Sequence, residues 1–555
     1  MSEFHGPPPG RRVLLLGCAI FAVVGAAVMI YLDGFALTSK TKYHADLTQA
    51  PQWIAYHNDA FAKDDLLVEY GAYNETPLQN AIYWVGTWFI DVVVLNRMIG
   101  VVIFGLTAAL FFLLVTSTAG LRTGLLASLF FVIFPRSAYE IAGGFSKAWA
   151  IGLTLAAVYV VETRRWKILL GVMPFAAVAY PMAAVLTGAV VLVGLALELP
   201  RSRSEALSGF KHLAAGSALA LAPLLYKYFT PPARIGEMIS TGAMKGKWAQ
   251  GISLEATLPL WKEVLSYLQH PFFIVSLIVL LMLLSRRSLV WERSWSALVI
   301  GSALCYYAAD LVVPRLFLPD RYSRYSIAVL LVLWFGHNWN RLLEEIRSRW
   351  IRRAAFGAVV LFAAASFPDT FKPCDGEKWL GRWEDKGSAA PLSRAIASLP
   401  PPVLLAGFPY PMGDFMIQSR RPVLVIHRLS HFWFRGFREA VEERLQDTFR
   451  ALYAQTPEDV NRLASKYGVT HLVIPRYAYS GSRLRTGKSH VEEYDDLIGP
   501  LVKGKTHFLL DPPPVESIVY EDLSFWLVRL PLEEPASSGN ESAGPMPDPS
   551  REEKW

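Results

Sequence analysis

The chain is short of charge and of cysteine. Only 18% of its 555 residues are charged and 53% are hydrophobic, which excludes a disordered protein and an ordinary soluble one. Its three cysteines include Cys18 and Cys305 inside apolar runs, with only Cys374 in polar surroundings. That leaves no disulfide framework and no CxxC metal site. Glycine-rich nucleotide fingerprints, Walker loops, HExxH and nucleophile elbows are missing from any suitable context, which argues against nucleotide-driven transport and classical hydrolysis. Polar sequence is scarce over the first two-thirds, and a composition shift near Phe367 marks a domain boundary that the mean hydropathy of +0.30 averages away.

What is present is a series of apolar runs. The first, 13–32, follows Arg11 and Arg12, is long enough to cross roughly 30 Å of hydrocarbon, lacks a small-x-small cleavage site and reads as a retained span. Further spans are expected at 98–117, 124–134, 147–161, 168–180, 182–197, 213–228, 272–284, 296–313, 327–339 and 354–367, about eleven in all. The net charge of +7 does not point to nucleic acid, because the basic residues fall between these runs. Arg122, Arg164-Arg165-Trp166-Lys167, Arg201 with Arg203, Arg286-Arg287 and the five arginines of 340–353 fit the positive-inside bias if residues 1–12 are cytoplasmic. An odd number of spans then puts the C-terminus outside.

The expected fold is therefore an α-helical polytopic membrane domain over 13–367 with large outer loops at 33–97 and 229–271. A soluble α/β domain follows at 368–531, then a disordered tail at 532–555. Residues 78–95 are apolar and aromatic but interrupted by Asp91, which suggests an interfacial helix. In the C-terminal part, strands are expected at 403–406, 423–427, 471–475 and 525–530, and helices at 437–454 and 457–467. Thr456, Pro457 and the acids Glu458 and Asp459 mark the start of the second helix, and Gly468 its end.

Chemistry is expected at the outer face. The first outer loop holds Asp33, Asp46, Asp59, Asp64, Asp65 and Glu69. A carboxylate in a water-poor cleft there can act as a general base on an acceptor hydroxyl, although a solvated loop also carries such acids. Asp33-Gly34 reads as a helix stop. Asp46 is the stronger candidate, beside His44 as orienting partner or surface histidine and ahead of the aromatic PQWIAYH. A second outer loop, CYYAADLVVPRLFLPDRYSRYSI, places Asp310, Arg315, Asp320, Arg321 and Arg324 at the bilayer edge. Arginines on that side fit a lipid-borne phosphate, which the guanidinium fork grips bidentately, or equally head-group contact and pairing with Asp310 and Asp320. A third turn, PRSAYEIAGGFSKAW, adds Arg136, Glu140 and Lys147 around Gly143-Gly144; Lys147 is either a further cation or a snorkelling surface lysine. Asn74-Glu75-Thr76 and Asn540-Glu541-Ser542 match the glycosylation acceptor pattern.

These segments, with YHADLTQ, FAKDDLL, AGGFSKAW, AVAYPMA, RLFLPDRYSRY and KYGVTHLVIP among them, resemble the GT-C class of polytopic glycosyltransferases that use polyprenyl-phosphate sugars. That group contains protein O-mannosyltransferases and aminoarabinose transferases, and the likeness runs over nearly the whole chain. The resemblance implies a bacterial inner-membrane enzyme, with an inner N-terminus and an outer, periplasmic C-terminal domain. It would transfer a sugar from a polyprenyl-phosphate donor, with inversion, to a glycan, lipid or protein acceptor. It also implies Asp46 as the base and Arg315, Arg321 and Arg324 or Lys147 as phosphate ligands. Asp46 is followed by Leu47 where the protein mannosyltransferases have an Asp-Glu pair, which leaves Asp64-Asp65 as a rival. No cofactor is expected; a divalent metal is compatible with the class but no residue cluster indicates one. Membrane lipids are the other expected partners, and nucleic acid is not. The alternatives from other classes are a transporter or flippase of envelope glycans, which would place ionisable groups near the bilayer midplane, and a non-catalytic assembly protein.

Overall fold

The computed structural model describes residues 10–32, 38–40, 42–239, 291–312, 319–370, 383–385, 389–429, 434–479 and 494–532. The chain divides into two compact units, one of residues 1–401 with 409–443 and one of 402–408 with 444–555. The division differs from a single cut near Phe367, because 409–443 groups with the helices that precede it.

In the first unit the helices are α1 (Arg11–Leu32), α2 (Pro51–Ala55), α3 (Leu66–Asn74), α4 (Pro77–Gly86), α5 (Val92–Ala119), α6 (Leu121–Ile133), α7 (Pro135–Ile141), α8 (Ala150–Thr163), α9 (Leu169–Ala179), α10 (Pro181–Glu198) and α11 (Arg203–Phe229). They continue with α12 (Arg293–Val312), α13 (Asp320–Glu344), α14 (Arg349–Thr370), α15 (Ala390–Ala397) and α16 (Pro409–Ser419). Proline opens α2, α4, α7 and α10, where its missing N–H costs nothing. Helices α1, α5 and α10 have the length and apolarity to cross a membrane, with mean hydropathies of 2.8, 2.7 and 1.9. Each expected span among the described residues overlaps a helix, although Lys147 and Ile168 lie in the 3-10 turns before α8 and α9 and Tyr180 follows the end of α9; the expected span 272–284 lies outside them.

Small residues let α1 and α5 lie close together. A Cβ on Gly105 would stand 2.6 Å from the Ala22 carbonyl oxygen, and Phe21 stacks on Phe112 beside this contact. Close backbone approach is the usual source of helix affinity where apolar surface alone gains little from leaving lipid. The expected interfacial helix is two elements. Helix α4 ends at Gly86, and Asp91 opens α5 by accepting the N–H of Val93. The residues between leave Trp88 and Phe89 62% and 82% exposed, the aromatic character an interfacial segment requires. Asp91 interrupts the run because it is a cap.

The acid-rich loop is tied down by a short antiparallel pair, β1 (Lys42–His44) with β2 (Trp383–Asp385), in which Tyr43 faces Glu384. Helix α16 packs on the turn after β1, where a Cβ on Gly413 would meet Thr48 and Ile426. The expected strand 423–427 is not one. Val423, Leu424, Val425 and Ile426 are all buried, but they run into a 3-10 turn, His427–Leu429, since a short apolar run specifies burial without specifying a ladder.

Helix α17 (Arg435–Leu452) passes from the first unit into the second. The second unit holds α18 (Pro457–Tyr467), α19 (Asp495–Val502) and a four-stranded sheet of order β3 (Leu405–Gly407), β4 (His471–Pro475), β6 (Phe525–Arg529), β5 (Ile518–Glu521). The β3–β4 pair is parallel, and β4–β6 and β5–β6 are antiparallel. A parallel pair needs a crossover, and α17 and α18 supply it. The α18 bounds follow the signals, with Pro457 at its first position and Gly468 in the left-handed region at φ 71°. The Thr456 side chain makes no capping hydrogen bond. Strand β4 is buried along its whole length, as a central strand covered on both faces should be.

His471, opposite Arg529 across β4–β6, has its pKa held at about 4, by burial first and by Arg529 second. A histidine with a lowered folded pKa stays neutral while its unfolded counterpart takes up a proton. The second unit should therefore be fully stable above about pH 6.5 and lose stability progressively down to about 4. Amide exchange of β4 and β6 measured across that window reads the loss, and His471→Asn should remove the dependence; an unchanged profile in that variant would assign it elsewhere.

Candidate active site

The site begins with the turn that leaves β1. His44 ends the strand, and its Nδ1 accepts the backbone N–H of Asp46 at 3.2 Å, opening the 3-10 turn Ala45–Gln49. A nitrogen that accepts cannot carry the proton, so this is a neutral ring, and its 3.7 Å approach to Asp46 Oδ2 is a near neighbour rather than an ion pair. His44 is 1% exposed. It orients Asp46 through the main chain.

Asp46 is 7% exposed and ringed by donors. Lys147 Nζ donates to Oδ2 at 2.9 Å, while Arg428 and Gln49 donate to Oδ1 at 3.1 and 3.3 Å. Lys147 is itself 7% exposed, which separates it from a snorkelling surface lysine. Lys147 and Arg428, the latter with a side chain 34% exposed, bring two positive charges to this one carboxylate. The neighbouring His427 adds none, since burial, helped by Arg428, holds its pKa down at about 4.

Lys147 is delivered by a backbone turn that needs glycine. Gly143 and Gly144 have φ of +84° and +58°, and a Cβ on Gly143 would lie 2.7 Å from His44 Cγ. Their carbonyls accept from Asn96 and Gln79. Asn96 also donates to the Tyr83 hydroxyl at 2.8 Å, and Tyr83 stacks on Trp53 with centroids 3.6 Å apart. Every side chain in this scaffold is buried, so Lys147 and Asp46 are held by packing rather than by loop chance.

The other end of this turn reaches a second cluster. Glu140, 1% exposed on α7, acts electrostatically on Arg321 and Tyr325 at the start of α13. Arg321 donates to the Tyr325 hydroxyl at 3.2 Å, and that hydroxyl lies 3.2 Å from the hydroxyl of Tyr180. Arg321 Nε is buried without a hydrogen-bond partner among the described residues. Glu140 and Gly143 are three residues apart, at most about 10 Å of chain, so α7 and the turn after it link the two clusters.

The remaining expected site residues lie elsewhere. Asp65 is the N-cap of α3, its Oδ1 accepting from Leu67 and Val68 at 2.8 and 3.1 Å. Asp64 is exposed, and its backbone carbonyl accepts from Arg234. Arg324 pairs with Asp320 at 2.7 Å one helical turn away. Arg315 and Asp33 lie outside the described residues. Among the described residues no cluster of metal-ligating side chains occurs. Sequence reading missed Arg428 and Tyr180 with Tyr325. Arg428 stands some 380 residues from Asp46 in a stretch that reads as a strand end, and neither tyrosine carries a local signal. The Tyr180-Pro181 corner, which reads as structural, is where one of them is presented.

No family model matches the chain, and no curated protein matches it in sequence. Solved structures match it in fold. ArnT from Cupriavidus metallidurans in its apo state aligns with a TM-score of 0.56 at 12% identity over 92% of this chain and 97% of that one. The same protein bound to undecaprenyl phosphate gives 0.55 at 12% identity over 94% and 98%. The apo oligosaccharyltransferase of Archaeoglobus fulgidus gives 0.51 at 12% identity over 85% and 71%. Both are GT-C glycosyltransferases, so the chain has the fold of polytopic membrane proteins of that class.

Proposed function

We propose that the protein is a membrane glycosyltransferase that moves a sugar from a polyprenyl-phosphate donor to an acceptor hydroxyl or amine at the outer face, with about eleven spans, a cytoplasmic N-terminus and an outer C-terminal α/β domain. The reading rests on one observation, the buried Asp46 carboxylate shared by Lys147 and Arg428. A structure sharing this fold is bound to undecaprenyl phosphate, which supports a lipid-phosphate donor here. That ArnT and the Archaeoglobus fulgidus oligosaccharyltransferase, which share the fold, are transferases favours this over a transporter.

In the resting site both cations are occupied by Asp46, and a carboxylate so paired is a poor base. A donor phosphate arriving beside Lys147 and Arg428 competes for their N–H groups and loosens them from Asp46. Arg321, with its uncommitted Nε, adds a further donor to phosphate oxygens. The acceptor heteroatom then attacks the anomeric carbon from the face opposite the phosphate. Its proton passes to Asp46, the bond between the anomeric carbon and the phosphate oxygen breaks, and polyprenyl phosphate leaves with its new charge held by the cations. Configuration inverts. The sugar is already activated by its phosphate, so no nucleotide is required.

The reading is tested with purified protein in lipid nanodiscs, supplied with synthetic polyprenyl-phosphate sugars and a panel of hydroxyl and amine acceptors. Release of free polyprenyl phosphate that depends on an acceptor is expected, with the product anomer opposite to that of the donor. A retained anomer, or no release with any donor that binds, would sink it.

A further inference from the structure

The Asp46 cluster sits at one end of the helices that carry it, and the other end encloses a cavity of about 1080 Å³, at the upper end of small-molecule sites. Lys147 lies just before α8 and Arg164 just after it. Arg321 opens α13 and Arg341 stands twenty residues on, about 30 Å along a helix rising 1.5 Å per residue. That is the thickness of a bilayer's hydrocarbon core. The cavity collects the ends of α5, α8, α10, α12 and α13 that lead into the basic loops, the side the positive-inside bias assigns to the cytoplasm. Its distance and its charges set it apart from the transfer site, and nothing in the proposed reaction uses it.

The lining is amphiphilic. Leu114, Val115, Leu155, Val158 and Leu333 make its apolar part. Its polar part interleaves Arg164, Arg201, Arg293 and Arg341 with Glu162, Glu292 and Glu344, and Trp291 and Trp295 stand among them, edge to face. Arg164 and Arg293 converge on Glu198, which is 1% exposed, and so fix the wall. Arg164 adopts a left-handed backbone, φ 57°, to do so, a conformation that costs a non-glycine residue free energy. Three wall atoms are buried with no hydrogen-bond partner among the described residues: Ser294 Oγ, on a residue 1% exposed, Arg293 Nε and Asn340 Oδ1. They comprise a hydroxyl, a donor and an acceptor. Buried polar atoms left unsatisfied imply a ligand or ordered water that satisfies them.

We propose that this cavity is a second ligand site, for the head group of a zwitterionic aminophospholipid from the inner leaflet. Guanidiniums of both fixed and exposed kinds take the phosphate, the interleaved carboxylates and Asn340 take the ammonium, and the apolar part receives the start of the acyl chains. A purely anionic head group meets the arginines but also three acids, and a free phosphate leaves the apolar wall uncovered. The lipid would brace the inner ends of α8 and α13, the two helices that present Lys147 and Arg321 at their other ends.

The test uses the full chain in nanodiscs of phosphatidylcholine containing equal minor amounts of phosphatidylethanolamine and phosphatidylglycerol. The protein is re-extracted and its retained lipids counted by native mass spectrometry, and inorganic phosphate is tried separately by thermal shift. Retention of phosphatidylethanolamine roughly tenfold above its bulk share is expected, about one decade for the added pairing of both charges. Arg201→Gln with Arg341→Gln should return retention to the bulk ratio. Thr118→Trp, which sets a bulky ring beside the apolar lining without touching a charge, should lower retention and keeps the test decisive if the double variant does not fold. Preference for phosphatidylglycerol, a phosphate-induced shift that is lost in Arg201→Gln with Arg341→Gln, or unchanged retention in a folded variant would overturn the proposal.

Discussion

Asp46→Asn is expected to reduce the turnover of sugar transfer by about 10²- to 10⁴-fold, the usual contribution of a positioned general base, while donor affinity holds or improves. The side chain keeps its shape but only one acceptor oxygen, so it can accept at the Lys147 position or at the Arg428 position and not at both; the turn Ala45–Gln49 should persist because the backbone N–H of residue 46 still donates to His44 Nδ1. What disappears is the charge that competes with the donor phosphate for both cations. A residue of merely structural importance would lower donor affinity, turnover and melting temperature together. Single-turnover kinetics alongside donor binding, measured on the same nanodisc preparation, separate the outcomes. Turnover within threefold of the wild type would remove Asp46 from the chemistry.

The second large effect belongs to Lys147. Lys147→Met deletes a buried charge that touches Asp46 at 2.9 Å and leaves the ion pair of the carboxylate with Arg428 in place. Truncating one member of a buried, hydrogen-bonded charge pair typically costs about 2–4 kcal/mol, roughly 30- to 1000-fold in Kd. Here the loss should fall on the donor, because a lipid phosphate would meet one cation fewer. Lys147→Arg should recover part of it, since charge survives although the reach and geometry differ. Titration of polyprenyl phosphate against each variant reads this directly. Equal donor affinity in wild type and Lys147→Met would separate Lys147 from the phosphate.

The two residues differ in how far the sequence exposes their roles. Asp46 stands out because a carboxylate beside an aromatic segment at a span's end is unusual. Lys147 is ambiguous, since a snorkelling lysine and a buried one read alike until Gly143 and Gly144 are seen to turn the chain under His44. Helix positions are legible because apolar runs of the right length have few other uses. Local capping signals at Pro457 and Gly468 mark α18 for the same reason, as each satisfies a backbone requirement within its own few residues.

What is not legible is whatever depends on distant partners. Arg428 is invisible as a site residue because its neighbour in space is Asp46. The apolar stretch 423–427 has the composition of a strand, and it is buried as one would be, yet what buries it is α16 and the turn after β1. Asp64 and Asp65 form the more conspicuous acid pair in sequence, but capping α3 absorbs Asp65. A cap and a catalyst call for the same residue types, and only the neighbouring N–H groups distinguish them.

Late sequence adds a second set of contacts to the turn bearing Asp46. Strand β1 pairs with 383–385, the Tyr43 hydroxyl donates to Asp414, Asn58 donates to the Arg420 carbonyl, and Arg428 completes the ring around the carboxylate. During synthesis the first outer loop emerges long before these partners exist. The nascent chain would therefore pass through most of its insertion with the ring around Asp46 incomplete, and a product stopped after α14 would lack Arg428 however well its helices settled. Assembly of the ring around Asp46 thus waits until the chain has been made as far as Arg428.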